Sequence, residues 1–179
     1  MVSAPIHVEL VPHSPLWAEQ AHYEAAELRR LLGPPCRAVH HVGSTAIPDI
    51  LAKPVIDLLV EVSTLAMLDG ATDLLARRGY VSWGEYGVPG RRYFSLDDPD
   101  TGRRIKQLHG FEVGHFSANS MIAFCAYLRA YPAQARAYER VKQECSLQHP
   151  DNSSDYSRAK DAWIRPLEAT IGSWWALEH

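Results

Sequence analysis

The sequence predicts an α+β fold: a mixed β-sheet flanked by helices, followed by a helical C-terminal third. Three observations carry that reading. Short apolar or alternating runs bounded by turn residues recur through the first two thirds of the chain, separated by segments of helical period. From Asn119 onward the apolar spacing is helical throughout. The 179 residues contain no internal repeat, low-complexity run or flexible linker, so one domain is expected, with an α/β core over about 5–116 and a helical part over about 117–179.

Residues 7–11 alternate in polarity and end at Pro12, the pattern of a short strand. Ser14 then offers an N-cap before Pro15 at the first helical position, and Leu16, Trp17, Ala21, Ala25, Leu28 and Leu32 follow at helical spacing. Gly33-Pro34-Pro35 stops that helix. Residues 37–42 read as a strand, GSTAIPDILAKP as a loop or short helix, and 55–62 as a buried strand. A helix over 64–78 is expected to end at Gly79, a C-cap glycine, with a strand at 80–83 after it. Turn residues crowd 84–90; then 91–96, the turn DDPDTG and 103–111 spell a β-hairpin, for a sheet of four or five strands. Helices are expected near 119–130, 132–148 and 153–175.

Eighteen Lys and Arg against 21 Asp and Glu give a net charge of -3, so no global basic field exists to gather nucleic acid. The N-terminal stretch lacks a basic start and an apolar run, and nothing approaches the ~20 apolar residues of a membrane span. A cytoplasmic protein without a membrane partner is expected. Cys36, Cys125 and Cys145 have no CxxC spacing and are read as reduced thiols. Trp163, Trp174 and Trp175 are read either as a core edge or as the contact of a homo-oligomer.

The chemistry concentrates in HHVGSTAIPDILAKPVIDLLVEV, residues 40–62. Gly43-Ser44 follows a strand, where exposed backbone N–H groups and a small hydroxyl can hold a phosphate. Asp57 lies within an apolar run, where a carboxylate is costly to bury unless a cation or strong donors meet it. Mg²⁺ bound to a polyphosphate would supply that cation.

Strand, Gly-Ser, turn, strand and Asp in this order resemble the nucleotidyltransferase motif. The whole pattern resembles the GrpB-like family within that superfamily, through VELVPHSPLWAEQ, HVGSTAIP, AKPVIDLLV, GYVSWGEYGVPGRRYF, QLHGFEVG, AFCAYLRAYPAQARAYERVK and DYSRAKDAWI. The resemblance implies a nucleotidyltransferase-like core, with Gly43, Ser44, Lys53 and Asp57 matching the family's core motif and His109 its Leu-His motif. Arg91 and Arg92 match a PGRR-aromatic motif, and Tyr156 with Lys160 the C-terminal one. In three places the sequence departs: Asp49 replaces a glycine, Gln107 a histidine, and Leu59 stands where the second carboxylate of an Asp-x-Asp/Glu pair would fall.

The expected site therefore comprises Asp57 and His109 as catalytic residues and Gly43, Ser44, Lys53, Arg91, Arg92, Tyr156 and Lys160 as phosphate ligands. Asp57 and Glu112 are the expected Mg²⁺ ligands. Arg91 and Arg92 face opposite ways in an extended segment, so only one can reach the pocket. Glu61 shares a strand face with Asp57 but lies ~13 Å along the chain. Three functions remain open at this point. One is a Mg²⁺-dependent transferase acting on a nucleoside triphosphate and an unknown small-molecule acceptor; another is a nucleotide-binding module without turnover. The third is a biosynthetic enzyme using His109 as acid and base.

Overall fold

The computed structural model describes residues 8–178. Among them, five strands form one mixed sheet: β1 (Cys36–Val42), β2 (Ile56–Val62), β3 (Val81–Ser82), β4 (Arg92–Asp97) and β5 (Arg104–Glu112), ordered β1-β2-β5-β4-β3. β2 and β5 are parallel and every other neighbouring pair is antiparallel. The apolar run IDLLVEV has packed layers on both sides, which is why it takes a central position.

Strand parity divides the chemistry between the two faces. Ile56, Leu58, Val60 and Val62 of β2 meet α1 (Leu16–Leu32) through Trp17, Ala21, Ala25 and Leu28. On the opposite face, Val42, Leu59 and Phe111 pack under Ala118 and Cys125 of α4 (Phe116–Ala130). A second helical layer, α5 (Pro132–Gln148), α6 (Ser153–Ile164) and α7 (Glu168–Glu178), joins α4 around Tyr127, Leu128, Ala135, Tyr138 and Ile171. Trp163, Trp174 and Trp175 border that cluster as a core edge.

Polar ties lock the layers. Glu24 of α1, only 2% exposed, accepts from Tyr80 Oη (3.1 Å), Arg78 Nη2 (3.3 Å) and Lys106 Nζ. Burial pushes the Glu24 carboxyl up, but hydrogen bonds and charge from Lys106, Tyr80 and Arg78 outweigh it and hold the group below its ordinary value. Leu51 N donates to Glu139 of α5 at 2.6 Å, and Arg129 of α4 donates to the Ala46 carbonyl at 2.8 Å. The loop between β1 and β2 is thereby fastened to the helical part.

Several elements differ from the sequence reading, each for a local reason. His7 lies outside the described residues, and of the expected first strand Val11 makes a single antiparallel bridge, to Ala52. Pro15, rather than Ser14, occupies the cap position of α1, without a side-chain cap. The helix over 64–78 splits into α2 (Leu65–Gly70) and α3 (Thr72–Ala76) after Gly70, the weakest helix former in the segment. α4 starts three residues early because His115 Nδ1 accepts from Ser117 N at 3.2 Å and caps it. Pro166 sits in a 3₁₀ turn (Arg165–Leu167) that separates α6 from α7. No helix among the described residues is long and apolar enough to cross a membrane.

Candidate functional site

β1 ends at Val42, and Gly43 turns the chain with φ 74 and ψ -173, a conformation open to glycine. A Cβ there would lie 2.5 Å from Asp57 Oδ2, so the backbone rests directly on the carboxylate. Asp57 stands in register with Val42 on one side and Gln107 on the other. Two residues along β5, His109 returns to the same face and places Nε2 3.1 Å from Asp57 Oδ1. The tautomer that satisfies Asp57 carries its proton on Nε2. His109 Nδ1 is then a buried acceptor with no hydrogen-bond partner among the described residues.

Cations gather beside this couple. Lys53 Nζ lies 5.2 Å from the centroid of the buried Tyr156 ring, and Lys160 Nζ lies 4.7 Å from the same ring. Lys53 also donates to Ser153 Oγ at 3.2 Å. Lys142, 1% exposed, donates to the Leu51 carbonyl and sits 4.9 Å from the Tyr138 ring. Burial, with the charge of Lys160 and against the attraction of Asp57, depresses the Lys53 ammonium to about 8. Burial and the charge of Lys160 bring Lys142 to about 7. Burial also lowers Lys160, against the attraction of Asp57. None of the three forms an ion pair among the described residues. The Ser44 hydroxyl lies near the buried Tyr138 hydroxyl and opposes the upward push of burial on that phenol, so the Gly-Ser turn neighbours the lysine cluster.

The carboxylate set is sparse. Leu59, fully buried, fills the position of a second carboxylate with side-chain bulk under α4. Glu61 shares the face of Asp57 but pairs with His40 at 2.9 Å. Glu112 is corrected: it ends β5 opposite Val62, its side chain accepts from Leu65 N at 3.0 Å, and strand parity turns it away from Asp57. No group of three or more His, Cys, Asp or Glu side chains among the described residues is arranged to hold a metal ion. One carboxylate beside one imidazole and several ammoniums fits a single Mg²⁺ shared with ligand phosphates, and does not fit a pair of ions.

The two expected arginines also separate. Arg92 is corrected: it opposes Gly110 and pairs with Asp69 of α2 (Nη2 to Oδ2, 2.9 Å), away from Asp57. Arg91 stays on the site side, its guanidinium 5.0 Å from the Tyr93 ring. Its N–H groups, however, serve the carbonyls of Glu85 and Tyr86. Gly43, Ser44, Lys53, Asp57, His109, Tyr156 and Lys160 do converge.

Four further residues belong to this region and escaped the sequence reading. Tyr93, directly opposite His109, packs its ring 5.5 Å from the imidazole and accepts from Arg104 Nη1 at 3.1 Å. Burial pushes the Tyr93 phenol up to about 12, with Arg104 opposing and the Asp57 charge reinforcing. Lys142 and Tyr138 share the buried stripe of α5 with Ala135 and Cys145. A lysine at that heptad offset was the available signal. Arg104 had none, because its reach to Tyr93 depends on a register shift between Leu96 and Asp97.

The sequence and the fold are similar to those of known proteins. A sequence model described as GrpB protein matches residues 7–170. The UPF0157 protein YqkA of Bacillus subtilis is 35% identical over 167 residues, covering 93% of this chain and 48% of YqkA. The chain thus spans about half the length of that relative. The crystal structure of conserved protein GrpB from Enterococcus faecalis superposes with a TM-score of 0.85 at 34% identity, over 93% of this chain and 99% of that one. Cid1, solved in complex with its short product ApU, gives a TM-score of 0.54 at 13% identity over 83% of this chain and 48% of its own, a likeness of fold alone. With a nucleotidyltransferase-like α+β fold and a family match over nearly its whole length, the chain belongs to the GrpB protein family.

Proposed function

We propose that this chain binds a nucleoside triphosphate and transfers its nucleotidyl group to a small-molecule acceptor, with Asp57 at the reacting end and Lys53, Lys142 and Lys160 on the phosphate tail. The observation that supports it is the convergence of three ammonium groups, Lys142 buried and Lys53 and Lys160 half-buried, on Tyr138 and Tyr156 without an ion-pair partner among the described residues. Such a cluster is costly to bury alone and is matched by a polyanion. Gly43-Ser44 adds backbone N–H groups and a hydroxyl beside Asp57, on which the Gly43 backbone rests.

In the transfer the acceptor oxygen bonds to the α-phosphorus as the bond to the β-bridging oxygen breaks, and pyrophosphate leaves against the lysines. Positioning and charge stabilisation supply most of the catalysis in such reactions. His109 holds Asp57 in place through Nε2, and the acceptor proton passes to this Asp57–His109 couple at its Asp57 carboxylate. A Mg²⁺ carried on the phosphates would neutralise charge at the reacting phosphorus, with Asp57 as its protein carboxylate. Leu59 favours a second reading, a nucleotide-binding module without turnover, because an aliphatic side chain there leaves one carboxylate.

A thermal-shift panel of nucleoside triphosphates with and without Mg²⁺ tests the binding, alongside pyrophosphate release in the presence of mixed hydroxyl acceptors. The expected result is Mg²⁺-dependent stabilisation of the wild type that Asp57→Asn and Ser44→Ala lose. Pyrophosphate release selects the transferase; stabilisation with no release for any acceptor selects the module. An unresponsive, folded wild type overturns both.

A further inference from the structure

The geometry points to a second half of the ligand site, a stacking platform for the nucleobase, built by the loop between β3 and β4. We infer it from a ladder of rings that starts at the Asp57–His109 couple and runs outward. His109 lies 5.5 Å from Tyr93, Tyr93 lies 4.8 Å from Tyr86 in a near-parallel stack (11°), and Tyr86 lies 6.0 Å from Trp83. The inner rung is rigid: Tyr93 is 5% exposed, and its hydroxyl accepts from Arg104. The outer rung is open, for Tyr86 is 62% exposed although one face rests on Tyr93.

Tyr86 is held there against its backbone preference. It adopts φ 44, a left-handed conformation that a bulky residue rarely takes. Arg91 fixes that conformation by donating to the Glu85 carbonyl at 3.1 Å and the Tyr86 carbonyl at 2.6 Å, and Glu85 Oε1 accepts from Gly90 N at 2.8 Å. Strain retained in a self-braced loop is a feature of ligand clamps. The Arg91 guanidinium, 6.0 Å from the Tyr86 ring and 5.0 Å from Tyr93, adds a cation at the edge of the stack. Arg91 is thus a positioning residue for the platform rather than a phosphate ligand.

A planar, electron-poor ring attached to a polyanion fits this combination: a base on the outer face of Tyr86, phosphates toward the lysines. The inference rests on the proposed polyphosphate site, and its test separates the two. The affinities of adenosine triphosphate and inorganic tripolyphosphate, each with Mg²⁺, are measured by calorimetry on the wild type, Tyr86→Ala and Tyr86→Phe. The expected result is that wild type and Tyr86→Phe bind the nucleotide roughly ten-fold or more tighter than tripolyphosphate, the scale of base–aromatic stacking. Tyr86→Ala loses that preference while its tripolyphosphate affinity, which also certifies its fold, stays unchanged. Equal wild-type affinities, or an undiminished preference in Tyr86→Ala, overturn the platform and leave the polyphosphate site standing. If neither compound binds, both fall.

Discussion

Gly43 and Lys142 show what individual residues contribute to this site and what they cost. At Gly43 a side chain would collide with Asp57 Oδ2 in a backbone conformation reserved for glycine. Gly43→Ala is therefore expected to lose about 1–3 kcal/mol of unfolding free energy and any nucleotide response, checked by urea denaturation with and without ligand. At Lys142 burial depresses the ammonium to about 7 from an ordinary 10.5. Between those values the unfolded chain binds more protons than the folded one, so this residue makes stability rise with pH from about 7 toward 10. Unfolding curves at pH 7, 8 and 9 should show a steeper rise for wild type than for Lys142→Met. Equal slopes would remove Lys142 from the charged cluster. The legibility of these residues follows their spacing. Gly43, Ser44 and Asp57 fall within one quoted run and Gly43 lies against the carboxylate; Lys142 betrayed itself only by its place on a buried helical stripe. Arg92 and Glu112 looked equivalent to their neighbours in sequence, and strand parity sent both elsewhere.

Among the elements, α6 matters most to the site because it carries Tyr156 and Lys160 one turn apart. Its first turn is held by Asn152, whose Oδ1 accepts from Ser154 N (3.1 Å) and Asp155 N (3.0 Å). Asn152→Ala should cost ~1 kcal/mol of stability and weaken polyphosphate affinity, since the cap sits one residue from Ser153, the partner of Lys53. Retained affinity in a measurably destabilised variant would separate the helix start from the site. The sheet was readable because apolar runs of strand length stood between turn residues. The breaks in the helices were less so. The apolar period continues across Gly70 and Pro166, so helices expected from period alone run through both, and the chain breaks at the glycine and the proline instead.

At the scale of the molecule, a sheet supplies Asp57 and His109 while the helical C-terminal part supplies Lys142, Tyr156 and Lys160, and the site exists where the two meet. The opposite face of the sheet has a structural task. Glu24 there binds Arg78, Tyr80 and Lys106, and Glu24→Ala should cost roughly 1–3 kcal/mol by leaving Lys106 and the buried Tyr80 hydroxyl without this partner, while Arg78 keeps Glu27. Because the Glu24 carboxyl is held below its ordinary value, its contribution is present above about pH 4.5 and fades as pH falls through the folded value, a loss absent from the alanine variant's acid denaturation curve. The lysine side works in the other sense, concentrating positive charge that the unliganded fold would be more stable without. The most direct measurement of that claim is unfolding free energy with and without saturating nucleoside triphosphate and Mg²⁺, for wild type, Lys53→Met and Lys160→Met. The wild type should gain about 2.7 kcal/mol at a hundred-fold excess over the dissociation constant. Both variants should match or exceed its unliganded stability and lose that gain. A wild type indifferent to every triphosphate, or variants that gain as much as it does, would contradict the account.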